Sequence, residues 1–136
     1  MRLKAFEVPT PLKLSAAWAA TVLCYIYCDY FELYVPGKVQ SMLEGVAPFG
    51  PVSQWTLLGA GLLLIVPSTM VFLSVVLRPS ASRIANLVFG VIYTIIMVLL
   101  AFVTQWYFYK AFAVVEAALT VSIIWMAWRW PKLDAA

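Results

Sequence analysis

The stretch IANLVFGVIYTIIMVLLAFVT, Ile84 to Thr104, carries no charged residue. A helix rises 1.5 Å per residue, so about 20 apolar residues cross the roughly 30 Å of hydrocarbon in a bilayer. This run therefore predicts a transmembrane helix, and three others read the same way. One extends from Leu12 to Tyr34, with Thr10-Pro11 as N-cap and first turn and Pro36-Gly37 as its stop. Another extends from Trp55 to Leu77, after a loop holding Pro48, Gly50 and Pro51. The last covers Ala111 to Trp128 and stops before Pro131. Ser80 or Ser82, after Arg78-Pro79, is the expected cap of the Ile84 span. The fold class is all-α: a polytopic membrane protein whose residues 1–136 form a single transmembrane domain. Short connections flank the third span, so an antiparallel four-helix bundle is the simplest closure.

Composition points the same way. Hydrophobic residues make up 65% of the chain and charged residues 11%, against about 25% charged in a soluble domain. The net charge of +3 is dispersed over the chain, which excludes a nucleic-acid partner and implies the lipid bilayer. Arg2, Lys4, Lys13, Arg78, Arg83, Arg129 and Lys132 fall on the side of the termini, and only Lys38 and Lys110 on the other. This asymmetry predicts cytoplasmic N- and C-termini. Tyr30, Tyr34, Trp55, Trp106, Tyr107 and Tyr109 fall near the outer boundary, and Trp125, Trp128 and Trp130 near the inner one, as an interfacial aromatic belt requires. The long first apolar run lacks a small-x-small cleavage site and is expected to be retained.

Within the spans, small residues suggest close helix contact: Gly59, Gly61, Gly90, Ala113, Ala117 and Ala118. Pro67 is expected to kink the second span, with Ser68 and Thr69 meeting the freed backbone groups.

Three carboxylates sit where lipid is expected: Asp29, Glu32 and Glu116. A charge at the bilayer centre costs at least about 2.5–3.5 kcal/mol, so such groups face the bundle interior and mark function by default. Counted from the expected helix ends, Asp29 and Glu116 lie at a similar depth, about 8–10 Å below the outer end. At 100° per residue, Trp18, Thr21, Tyr25, Cys28, Asp29 and Glu32 share one sector of the first span. On the third span Asn86, Gly90, Tyr93, Met97 and Thr104 share a face, and on the fourth Glu116 lies with Ala113 and Thr120. Tyr25, Asp29, Glu32, Tyr93 and Glu116 are therefore the candidate ligand- or ion-binding residues, lining an acidic cavity in the outer half. The structural alternative is a packed polar core in which Lys38 and Lys110 neutralise two carboxylates.

The chain has no histidine, so no histidine triad can form and the usual zinc ligands are missing. No catalytic residue, cofactor or particular metal is expected. Cys24 and Cys28 lie at i and i+4, without a C-x-x-C motif, and read as packing residues rather than a redox pair.

Leu14-Ser15-Ala16-Ala17-Trp18, the run from Tyr25 to Lys38 with Cys28-Asp29-Tyr30-Phe31-Glu32, the segment Ala113 to Ala117, and Trp125 to Trp130 carry a further signal. Together they resemble an uncharacterised family of small bacterial four-helix membrane proteins, a domain of unknown function. The resemblance covers nearly the whole chain and implies the same fold and a bacterial inner membrane, with no assigned activity. A more distant similarity to DoxX-like four-helix proteins has no shared motif. Three functions compete: a small channel or transporter for a cation, protons or a small polar solute; a non-catalytic subunit that assembles with itself or a larger complex; and a lipid- or quinone-linked membrane enzyme. The first is preferred for the acidic stripe, and the third is weakest for want of cofactor motifs and histidine.

Overall fold

The computed structural model describes residues 3 and 5–132. Arg2 and Lys4, counted above among the terminal cations, lie outside the described residues. Four helices are long and apolar enough to cross a membrane: α1 (Thr10–Glu32), α3 (Gln54–Val76), α4 (Pro79–Val103) and α5 (Tyr107–Trp128). Between the first two stand a short helix, α2 (Lys38–Leu43), and a small antiparallel hairpin of β1 (Val46–Ala47) and β2 (Gly50–Pro51). The bundle thus has an insertion end, where α2 and the hairpin lie, and a termini end.

The helix ends correct several expectations. Thr10 does not cap α1; it is the first helical residue, with Pro9 before it and Pro11 in the first turn. The helix stops at Glu32, and Gly37, at φ 81°, reverses the chain into α2. Left-handed backbone of this kind suits glycine. Ser53 caps α3 through a reciprocal box with Thr56. Neither Ser80 nor Ser82 caps α4, which begins at Pro79; Ser82 Oγ instead donates to the Ser74 carbonyl at 3.0 Å. At the far end of α5, Arg83 Nε donates to the Ala127 carbonyl at 3.0 Å, meeting one of the acceptors that a helix C-terminus leaves open.

Around the bundle the order is α3, α1, α5, α4. Contact is most extensive between α4 and α5, and α1 packs on both α5 and α3, while α3 and α4 touch little despite their short connection. The α4–α5 contact is close because Gly90 has no side chain: a Cβ there would come within 2.9 Å of Ile124 Cγ1. Gly59 and Gly61, expected at a helix contact, have no neighbour within 4 Å of the corresponding position. The core is densest toward the termini end, where Leu14, Trp18, Met70 and Ile123 are buried.

Candidate functional site

Pro67 lies inside α3 and has no N–H to donate, which frees the carbonyl of Leu63 four residues earlier. Ser68 and Thr69 do not meet it; their hydroxyls donate to Leu64 and Ile65, each at 2.7 Å. The freed acceptor takes a hydrogen bond from Tyr93 of α4, whose hydroxyl lies 2.6 Å from Leu63 O. This bond ties α3 to α4. From it toward the insertion end lies a half-open cavity of about 270 Å³.

All four long helices line the cavity. Tyr25, Cys28 and Asp29 come from α1, Ala60, Leu63 and Leu64 from α3, Tyr93, Ile96, Met97 and Leu100 from α4, and Tyr109 and Glu116 from α5, with Phe49 from the turn between β1 and β2. Toward the termini end the space is filled. Trp18 stacks edge-on against Tyr93, with ring centroids 5.9 Å apart, and Trp18, Met70 and Ile123 are fully buried.

Glu116 is 3% exposed and Tyr25 is 7% exposed. Glu116 Oε1 and the Tyr25 hydroxyl are buried, and no protein group hydrogen-bonds to either. Buried polar groups are nearly always paired, so two unpaired groups on one cavity call for an explanation. Among the described residues the one ion pair joins Lys38 to Glu32, and it leaves Glu116 without a cationic partner. Lys110 lies instead over the ring of Tyr107, 6.0 Å from its centroid.

Four of the five residues singled out by sequence meet on this cavity: Tyr25, Asp29, Tyr93 and Glu116. Glu32 does not line it. It pairs with Lys38 beside a second recess, under α2 and the hairpin, which Asp29 also borders. The equal-depth argument needs correction as well. α5 starts four residues before Ala111, so Glu116 lies about 14 Å along it, whereas Asp29 is about 5 Å from the end of α1. The two carboxylates face one cavity at different levels.

Tyr109 was missed. Its aromatic ring near the boundary assigns it to the interfacial belt, yet it precedes Glu116 by seven residues and Ala113 by four, the spacing of one helix face. That periodicity was available in the sequence. Phe49 comes from a turn and carries no such signal. Cys24 and Cys28 are both free thiols; Cys24 is half-buried, and Cys28 is buried and lines the cavity. Among the described residues no three Cys, Asp or Glu side chains group as a metal site.

Residues 3–136 match the model of a family of unknown function. The chain belongs to that family, DUF6326. No curated protein and no solved structure matches it. Its four long apolar helices make it a multi-pass membrane protein in a helical bundle, so what the family does must be read from the site itself.

Proposed function

We propose that this protein is a small membrane carrier that binds a cation in the Glu116 cavity and exchanges it for protons. One observation carries the reading: a carboxylate oxygen buried on a cavity without any protein partner. An isolated buried carboxylate is too costly to leave bare, so it holds either a proton or a cation. Alternation between those two states is the elementary step of exchange. The layer at Trp18, Met70 and Ile123, whose side chains are fully buried, favours a carrier over an open channel. Asp29, bordering both the cavity and the outer recess, is suited to relay a cation toward Glu116. In this proposal Tyr25, Asp29, Tyr93 and Glu116 serve binding, and Glu32 with Lys38 frames the entrance.

In this proposal the insertion end lies outside an inner, cytoplasmic membrane with both termini inside, a reading the charge asymmetry supports. Labelling of single cysteines from either side of intact cells tests this: a cysteine at Lys132 reacts only after permeabilisation, and external labelling there overturns it.

The transport test uses purified protein in vesicles that enclose a pH dye. Sodium, potassium or a small amine is added outside. The expected result is an internal pH change with at least one cation that is lost in Glu116→Gln. Equal responses from both proteins contradict the proposal. A second reading, a subunit that packs against other copies or a larger complex, is favoured by α3, whose Gly59 and Gly61 face no neighbour. Its mark is a defined oligomer in native mass spectrometry, without any Glu116-dependent flux.

A further inference from the structure

We infer that the ligand of this cavity is a small lipophilic organic cation, an ammonium group carrying an apolar body, rather than a bare inorganic ion. The inference deepens the carrier reading above and rests on it.

The donor set is the first argument. Hard metal cations take six or more oxygen ligands, or few ligands and a shell of water. The deep part of this cavity offers the orphaned Glu116 Oε1 and the orphaned Tyr25 hydroxyl. Among the described residues no group of three Cys, Asp or Glu side chains backs them. A substituted ammonium asks for less: one negative partner and polarisable surroundings.

Those surroundings are aromatic. Tyr25, Tyr93 and Tyr109 all line the cavity, and the rings of Tyr25 and Tyr93 lie 6.5 Å apart, tilted by 31°. Ring faces attract cations, more strongly where water is excluded. The Tyr93 hydroxyl proton is committed to Leu63, which fixes that ring in place.

The remaining wall is aliphatic, with Leu63 and Leu64 on one side and Ile96 and Leu100 on the other. A bare ion gains nothing from such a surface. An apolar body gains about 25 cal/mol for each Å² it buries. These same side chains flank the side of the bundle where α3 and α4 scarcely meet, and Leu63 and Leu64 remain 51% and 44% exposed. A cation that dissolves in the bilayer therefore meets the cavity from the membrane. Size sets the upper limit: about 270 Å³ is just below the usual range of ligand pockets, about 300 to 1,000 Å³. One ring and one small ammonium group suit that space.

Benzyltrimethylammonium has this shape, and neopentylbenzene is its uncharged carbon counterpart. Calorimetric titration of the full-length protein in zwitterionic nanodiscs compares the two, with sodium chloride as competitor. The expected result is that the ammonium binds, that neopentylbenzene binds at least about tenfold more weakly, and that Glu116→Gln weakens the ammonium by about tenfold or more. Tyr25→Phe, which keeps the ring and the Glu116 charge but removes the oxygen dipole of the hydroxyl that faces the cation, weakens it by about threefold. If Glu116→Gln fails to fold, Tyr25→Phe and Glu116→Asp carry the same test. Equal affinity for the neutral counterpart overturns the inference, as does ammonium binding that none of these variants changes. If sodium binds in a Glu116-dependent manner and the ammonium does not, the inference falls and the carrier reading stands. If neither cation's binding depends on Glu116, both fall.

Discussion

Asn86 and Glu116 are buried polar side chains on the inward faces of neighbouring helices, and the protein treats them in opposite ways. Around Asn86, toward the termini end, every group has an answer. Trp18 Nε1 donates to Asn86 Oδ1 at 2.7 Å, Ser74 Oγ donates to the same oxygen at 3.2 Å, and Asn86 Nδ2 donates to the Ser82 carbonyl at 2.8 Å. Three long helices are joined at one amide. Around Glu116 a cavity opens, and on it a carboxylate oxygen and the Tyr25 hydroxyl are left unpaired. Polarity inside a membrane bundle therefore has two meanings. A satisfied network fixes helix register, and an unsatisfied one beside a void is built for something that arrives later.

Substitutions on the two sides should separate those meanings. Asn86→Leu keeps the branched shape but strands the Trp18 and Ser74 donors, and is expected to lower stability by about 2 kcal/mol. Unfolding of the purified protein by a denaturing detergent measures it; a loss near zero would remove the structural half of the contrast. Tyr93→Phe sits on the boundary. It frees the Leu63 carbonyl that Pro67 already deprives of its helical partner, at about 1 kcal/mol, and loosens α3 from α4. An unchanged unfolding curve would mean that the floor of the cavity does not depend on that bond. Cys24→Ala is the smallest, within about 0.5 kcal/mol and without effect on binding, because Cys24 is half-buried and does not line the cavity. A large effect there would reopen a redox role.

The four spans were legible because each needs only length and apolarity, and a run such as Ile84 to Thr104 has no other reading. The inward faces of α4 and α5 were legible from spacing alone: Asn86, Gly90, Tyr93 and Met97 are buried together, and so are Ala113, Glu116 and Thr120. The residues of α2 and the hairpin were not legible. Six helical residues and two-residue strands are too short to show a period, and their turns depend on Gly37, Gly45 and Gly50 at positive φ. Nor was the partner of Leu63 O legible. Local logic assigned it to Ser68 and Thr69, whereas the answer came from Tyr93, 30 residues away. Helical angle puts Glu32 with the other carboxylates, but α1 ends at that residue, and Lys38 at the start of α2 pairs with it.

The most direct test of the account is one pair of readings on Glu116→Gln in the same nanodiscs: resistance to unfolding and affinity for benzyltrimethylammonium. Removing a buried charge that no protein group answers should leave stability equal to the parent or up to about 1 kcal/mol higher, while affinity falls by about tenfold or more. A variant that unfolds as readily as Asn86→Leu, with its ammonium affinity intact, would show that Glu116 belongs to the structural network after all and would contradict the account.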